Sequence, residues 1–513
     1  MAHPTSDDLQ ANIDTDAVDN KKAALDDLGG SMDAIDFSPE QRARVLRKLD
    51  WHLLPPVALL YLLSFLDRAN FGEYYPLERP HVTDARVLGN AGIAGMVEDL
   101  KLSGLKYNTA AAIFFVRIDT LNVILKLFRP SRWIPITMAV WGLVMTLMCL
   151  VNTYPQLLVA RVFLGLAEAG MAPGMTYYIS LWYPRADLGK RMAIIIAAAT
   201  MAGAFSGILA YVIEKMEGIG GLHGWQWIFC LEGLATVLVA LVAPFFMHDN
   251  TETAPFLTEA ERRYITELMK TDSQGLATHF KPQFVLQGLM DYKTYLQFGS
   301  IFGFSIPAYA IALFTPTIIN ELGFTTANAQ LLSVCPFVAA CVATVLCGIH
   351  SDRHKVRGPY VVAGAIVGLV GCIILYTQAK PSAGIVGVVL TAMGVYPPIP
   401  IVLAWTSSNA GGDVKRSVAI AMVISLASAG GICGSFIFVD PPRFHLGLAI
   451  TMGLLVCSLL TCLFTMWDYN RINKQKEKWC DEHGMTEERN EEFKDKGDDS
   501  PLFRYTCSFT TSP

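Results

Sequence analysis

Residues 157–170 read LLVARVFLGLAEAG, an apolar helical run that carries one arginine and one glutamate. Charged side chains inside a membrane-spanning helix are costly, and they usually line a path for a polar solute or a proton. Arg161 and Glu168 are seven residues apart, which is about two turns or roughly 10 Å along one helix face. Both side chains can therefore face one cavity. A second pair, Asp67 and Arg68, ends the first apolar run of the chain.

The composition is that of a membrane protein. Of its 513 residues, 52% are hydrophobic and only 17% are charged, whereas soluble proteins carry about 25% charged residues. The net charge of −5 does not indicate nucleic-acid binding. Apolar windows of about 17 to 25 residues predict twelve spans. These are 53–71, 107–128, 134–151, 156–181, 191–213, 227–247, 296–318, 330–349, 359–378, 384–407, 416–438 and 446–467.

The loops between these spans predict the topology and the domain organisation. Basic residues cluster in alternate loops, and the positive-inside rule then places both termini in the cytoplasm. A polar linker between spans six and seven carries a helical stretch that starts at Thr258, which serves as its capping residue. Both tails are polar and are expected to be disordered or only locally helical. We expect an acidic N-terminal tail (1–50), an N-terminal six-helix half (51–247), a cytosolic linker (248–295), a C-terminal six-helix half (296–467) and a cytosolic C-terminal tail (468–513).

Catalytic and metal-binding patterns are missing from the sequence. The eleven cysteines are scattered, nine of them in predicted spans, without the spacing of disulfides or metal ligands. We find no nucleophile with a base partner and no glycine loop that would cradle a phosphate. The sequence therefore predicts neither an enzyme nor a bound cofactor or metal.

The loop after the eighth span carries a gating motif. Residues 348–357 read GIHSDRHKVR. A carboxylate close to guanidinium groups and helix ends can form a breakable latch that holds one alternating-access state. The run resembles the Gly-x-x-x-Asp-Arg motif of the major facilitator superfamily, which assigns gating roles to Gly348, Asp352, Arg353 and Arg357. The alternative is an ordinary basic loop. The resemblance implies an all-α integral membrane protein with the major facilitator fold, 12 transmembrane helices in two six-helix halves.

Other stretches resemble one branch of that superfamily, the fungal allantoate, pantothenate and nicotinate permeases of the anion:cation symporter family. The matching stretches are 66–70, 161–174, 181–185, 404–405 and 409–416. Within that branch, residues 218–227 and 312–324 are most similar to chains described as nicotinic acid permeases. The resemblance covers roughly residues 45 to 470.

Four charged residues suggest a coupling mechanism. Glu168 lies near the predicted bilayer centre, where desolvation favours the protonated carboxyl. Arg161 stays charged and can offer a planar fork to a carboxylate. Our hypothesis is that protonation of Glu168 or Asp67 releases Arg161 or Arg68 to bind the incoming anion. In related organic-anion/proton symporters the matching acids carry the proton and the matching arginines help to bind the anion. The alternative is that both pairs only lock helices together.

Further candidate substrate residues lie in the second half. Tyr309 and Trp405 can stack on a ring or pack against the apolar side of a substrate, although aromatic residues in spans are often packing residues or interface anchors. Asn409 lies one turn beyond Trp405 and can donate hydrogen bonds, or can cap the helix. Ser428 stands where many relatives have an asparagine that faces the substrate.

Three stretches depart from the family pattern. Residues 73–88 lengthen the loop after span one. Span two carries Arg117 and Asp119, each costing roughly 2.5 to 3.5 kcal/mol on an insertion scale, and residues 116–122 lack the usual prolines. Residues 438–444 are a smaller change. For 73–88 and for span two, a genuine specialisation and an error in the gene model both remain open.

The sequence therefore predicts a proton-coupled secondary transporter that imports a small organic anion, nicotinate or a similar carboxylate, by alternating access. The alternatives are an allantoate or pantothenate permease, and a nutrient receptor that binds without transporting, which an altered span two would permit. The expected partners are the anion, the proton and the lipid bilayer, and we expect a monomer. The predicted location is the fungal plasma membrane.

Overall fold

The computed structural model describes residues 38–69, 74–75, 86–87, 96, 99–102, 106, 109–110, 113, 129–168, 170–184, 187–251, 254–272, 282–323, 326–377, 380–434, 437, 444–483 and 497–506. The described residues are mostly helical. The first group of helices is α1 (Pro39–Ala69), α2 (Pro130–Leu147), α3 (Tyr154–Glu168), α4 (Met171–Ser180), α5 (Leu188–Glu214) and α6 (Gly224–Val242). A connecting region holds α7 (Glu259–Asp272) and α8 (Pro282–Met290). The second group is α9 (Tyr292–Glu321), α10 (Thr326–His354), α11 (Gly358–Thr377), α12 (Pro381–Val395), α13 (Pro398–Asn409), α14 (Asp413–Gly434) and α15 (His445–His483).

The length and hydropathy of the helices confirm the predicted membrane protein. In the described part of the chain, nine helical stretches are long and apolar enough to cross a membrane. Large apolar side chains such as Phe163, Leu238 and Leu460 are exposed, as expected of helices whose outer faces contact lipid rather than water. The predicted spans correspond to described helices, except for span two (107–128), most of which lies outside the described residues.

Some boundaries differ from the predicted ones. Span four consists of two helices: α3 ends at Glu168 and α4 starts at Met171. Span ten is also two helices, since a turn at Tyr396 and Pro397 separates α12 from α13. The first helix begins at Pro39 and the last runs to His483, so both continue into segments that we predicted to be tails.

The two groups of helices meet mainly where α5 packs against α10. Within the first group α5 packs on α1, and α6 packs on α2; within the second, α9 packs on α14 and α15, and α11 packs on α12. Helix α7 opens on the predicted cap: the Thr258 amide donates to Glu261 at 2.8 Å, and the Glu261 amide donates back to the Thr258 hydroxyl at 3.4 Å. Glu261 also accepts a hydrogen bond from Lys48 at 2.8 Å, which fixes the connecting region to α1.

All three departures from the family pattern lie mostly outside the described residues. Of the loop after span one, the structure describes a short antiparallel pair, Tyr74–Tyr75 with Arg86–Val87. Arg117 and Asp119 of span two, and residues 438–443, lie outside the described part.

Close packing of α11 on α12 gives a first testable prediction. A Cβ added at Gly394 would fall on the backbone nitrogen and Cα of Gly368, which cannot move aside as a side chain can. We expect Gly394→Ala to separate the helices, lowering the free energy of unfolding by about 1 to 3 kcal/mol, measured as a lower melting temperature in detergent. The matched control is Gly453→Ala on α15, where a Cβ meets nothing within 4 Å. Equal loss in both variants would contradict the packing argument.

Candidate functional site

Arg161 and Glu168 lie on the buried face of α3. Their residues are 2% and 1% exposed, and Leu157, Leu164 and Gly165 share that face. The opposite face carries the exposed Val159 and Phe163, so the apolar side of the helix faces outward and the charged side faces the protein. This arrangement follows from the helical spacing of i, i+4 and i+7. The predicted pair thus points into the helix bundle.

Ser64 on α1 contacts the buried glutamate. Its hydroxyl donates a hydrogen bond to Glu168 Oε1 at 2.9 Å, and Ser64 itself is only 2% exposed. This bond joins α1 to α3 across more than 100 residues of chain. Sequence reasoning missed Ser64, although it lies one helical turn before Asp67. Asp67 and Arg68 belong to the last turn of α1, but their side chains lie outside the described part.

A second buried carboxyl, which the sequence analysis did not single out, lies on α6. Glu232 is 3% exposed within an otherwise apolar helix. The next residue, Gly233, packs against the backbone of Thr146 on α2. The sequence signal that could have identified Glu232 is a single acidic residue within an apolar run. The described part of the first group of helices therefore holds two buried glutamates, and Ser64 of α1 donates a hydrogen bond to one of them, Glu168.

Tyr309 and Ser428 lie along the packing of α9 against α14. Tyr309 is half-buried, and its Cβ lies 3.3 Å from the position that a Cβ would take at Gly434. Ser428 is buried and donates to the Ile424 carbonyl of its own helix at 2.9 Å. Their predicted role in substrate binding stays a prediction.

Trp405 and Asn409 near the end of α13 engage the C-terminal residues of the described chain. The Trp405 ring nitrogen donates to the Thr506 carbonyl at 2.5 Å. The Asn409 amide donates to the same carbonyl at 3.2 Å, and the Thr506 amide donates to Asn409 Oδ1 at 2.8 Å. Trp405 is completely buried. Both residues thus use their donors on another part of the same chain.

The predicted latch joins the two groups of helices. The Asp352 carboxylate, at the end of α10, accepts hydrogen bonds from the backbone amides of Gly189 at 2.9 Å and Lys190 at 2.6 Å. These amides open α5, where the helix dipole favours a negative charge. The buried Arg357 also pairs with Asp352, at 3.2 Å. Sequence reasoning identified Asp352 and Arg357 but not their partners in the first group.

The other two motif residues have different surroundings. A Cβ at Gly348 would collide with Ala193 on α5, so glycine permits the close approach of α10 and α5. Arg353 is exposed. Next to the latch, Arg191 pairs with Asp50 at 2.9 Å and lies 4.4 Å from the Tyr183 ring centre. We call the end of the bundle that carries Arg191, Asp352 and Arg357 the basic end; at this end α5 and α10 are held together.

Comparisons with known proteins agree on one family. A family model described as "Major Facilitator Superfamily" matches residues 58–435. The "MFS-type transporter cnsO" of Penicillium expansum is 32% identical over 490 residues, covering 91% of each chain. The "High-affinity nicotinic acid transporter" of Saccharomyces cerevisiae is 30% identical over 472 residues, covering 90% of this chain and 84% of that protein.

A solved structure shares the fold. The proton:xylose symporter XylE, bound to 6-bromo-6-deoxy-D-glucose, aligns with a TM-score of 0.61 over 81% of this chain and 95% of that one. Its sequence is 16% identical, so the likeness concerns the arrangement of the helices. It agrees with the all-helical membrane fold described above.

Proposed function

The chain belongs to the Major Facilitator Superfamily, and from this premise we propose that it is a proton-coupled symporter that imports a small organic anion, nicotinate or a similar carboxylate. Membership of this family makes it a membrane transporter and not an enzyme. One observation carries the proposal: Arg161 and Glu168 are both buried on the same face of an apolar helix. A nicotinic acid transporter among the relatives supports a carboxylate as the solute.

The geometry suggests what each group does. A guanidinium in a region of low dielectric attracts a carboxylate strongly and can hold both of its oxygens, so Arg161 is proposed to bind the anion, with Arg68 as a second candidate. Glu168 is proposed to take up the proton, because it is the buried acid on the same face of α3 as Arg161. The hydrogen bond from Ser64 holds the Glu168 carboxylate in place. Asp67 is the proposed second proton carrier.

The contacts at the basic end support alternating access. With Asp352 bound to the first turn of α5, the two groups of helices are closed together at this end. We propose that the basic end faces the cytoplasm, with both termini, in the plasma membrane, as the distribution of basic residues suggests. The solute would then enter from the opposite side. Breaking the Asp352 contacts would open the cytosolic side and release anion and proton together.

Uptake measurements test this function. Yeast lacking its own permeases should accumulate labelled nicotinate against its gradient when the chain is expressed, more strongly in acidic than in neutral medium. Labelled allantoate and pantothenate serve as competing candidates in parallel. The matched control is Arg161→Gln, which removes the guanidinium and should abolish uptake while the protein still reaches the membrane.

The alternatives make different predictions in the same cells. Preferred uptake of allantoate or pantothenate would keep the mechanism and replace the solute. Binding of nicotinate without accumulation or proton uptake would instead favour a receptor. Equal accumulation at both pH values, unaffected by a protonophore, would contradict proton coupling.

A further inference from the structure

The C-terminal segment Gly497–Thr506, which we call the C-terminal strap, packs on the basic end of the second group of helices. Phe503 is 1% and Tyr505 3% exposed, values typical of a protein core. The Tyr505 ring stacks on Tyr469 of α15 at 4.9 Å between ring centres. We predicted a tail that is disordered or only locally helical; this part of it is instead buried, because its two aromatic side chains find apolar and aromatic partners.

An acidic side chain anchors the strap among lysines. The Asp498 carboxylate is 1% exposed, and it accepts hydrogen bonds from Lys293 at 2.8 Å and from Lys415. Lys476 donates to the strap carbonyls of Ser500 at 2.9 Å and Phe503 at 3.3 Å. Lys415 also pairs with Asp291 at 2.7 Å. Without the strap, Asp291 would still lie beside Lys293 and Lys415, at 3.9 and 2.7 Å.

The end of the strap occupies polar groups of α13. The Thr506 carbonyl accepts hydrogen bonds from both Trp405 and Asn409. Helix α13 packs against α5 of the first group as well as against α9 and α14, so it lies where the two groups meet. The strap therefore covers an end of the bundle next to the junction that opens and closes in alternating access.

These contacts have the chemistry of a carboxylate site. Ammonium groups and neutral N–H donors bind carboxylates in proteins. Here these donors are occupied by a carboxylate and by carbonyl oxygens of the chain itself, in the place of a bound carboxylate ligand. We propose that the C-terminal strap is an intramolecular anionic ligand that fills a carboxylate-binding site at the basic end and must lift before an organic anion leaves there. This inference rests on the proposed function, since it assigns the exit of the same solute.

Protonation does not release the strap. Burial alone would raise the pKa of Asp498, but the ammonium groups of Lys293 and Lys415 lower it to about 2. A carboxyl with a lowered pKa stabilises the folded state above its unfolded pKa, and this stabilisation is lost only as the pH falls towards about 2. In a cell Asp498 stays charged, so release depends on a competing anion.

The thiol of Cys480 reports whether the strap is seated. Cys480 is 9% exposed, and its sulfur lies 3.4 Å from the Pro501 carbonyl. In inside-out vesicles, nicotinate should speed maleimide labelling of Cys480 at least about threefold at saturation, as expected when a competitor displaces a bound ligand. Chloride at equal ionic strength should not. Cys480→Ser gives the background labelling of the other cysteines. Because the effect of nicotinate is measured on the native chain, the test does not depend on whether a substituted protein folds.

A pair of neighbouring substitutions provides the second test. Asp498→Asn keeps the size of the side chain and removes its charge; we expect labelling at least about tenfold faster, because breaking a buried ion pair is costly, together with faster nicotinate counterflow. Asp499→Asn is the matched control. Asp499 also pairs with Lys293, at 3.4 Å, but its side chain is 77% exposed, and exposed ion pairs contribute little, so neither rate should change.

The outcomes separate this inference from the proposed function. Unchanged labelling with nicotinate would overturn the carboxylate site. Faster labelling of Asp498→Asn with unchanged or slower counterflow would overturn the role in exit and make the strap a structural clamp. If no version carries a solute while nicotinate still exposes Cys480, the proposed function fails and the carboxylate site is supported.

Discussion

Replacing Glu168 by glutamine is expected to lower uphill nicotinate uptake at least about tenfold, to the background rate. Counterflow exchange should stay within about twofold of the native rate. Glutamine has the size of glutamate, but its amide neither gains nor loses a proton at physiological pH. It can still accept the hydrogen bond that Ser64 donates to Glu168, so the contact between α1 and α3 is kept. Uptake of label against a gradient and exchange between equal concentrations, measured in the same vesicles, provide the test.

Two controls define the role of Glu168. Glu168→Asp keeps the carboxyl and should retain part of the uphill uptake. Glu232→Gln removes the other buried glutamate described on α6 and should leave coupling intact. If both glutamine variants lost uptake and exchange alike, a structural need for buried carboxylates would explain the result, and Glu168 would not be the proton carrier.

Replacing Asp352 by asparagine should open the basic end. The change removes the ion pair between Asp352 and the buried Arg357 and weakens two charge-assisted bonds to the start of α5. Breaking a buried pair costs about 3 to 5 kcal/mol, so the ratio of closed to open molecules should fall by about 100-fold or more. A cysteine introduced at Ala193, which is fully buried at the crossing of α5 and α10, should then react with maleimide from that side, and uptake should fall steeply.

The neighbouring arginine provides the matched control for the latch. Arg353 belongs to the same motif but is exposed, and exposed ion pairs contribute about 0 to 1 kcal/mol. Arg353→Gln should therefore leave both the labelling of Ala193→Cys and the uptake near their native values. Equal opening in the two variants would mean that the loop responds to a general loss of charge, and that the bonds from Asp352 to α5 do not form the latch.

Local sequence patterns determined the membrane class and most of the helices. Hydropathy depends on each stretch alone, so eleven of the twelve predicted spans correspond to described helices. Helical periodicity also placed Arg161 and Glu168 on one buried face. The capping pattern at Thr258 predicted the start of α7. The roles assigned to the proton-coupling, substrate-binding and gating residues all remain predictions.

Contacts between distant parts of the chain became visible once the helices were packed together. Ser64 meets Glu168, Asp352 meets Gly189, and Thr506 meets Asn409 across 104, 163 and 97 residues. No local pattern encodes such pairs, because they depend on which helix faces pack together. A polar tail likewise predicts a segment without fixed structure, until its few apolar and acidic side chains find partners on other helices. Composition and spacing show which residues are unusual in a membrane; the packing of the bundle decides which partners they meet.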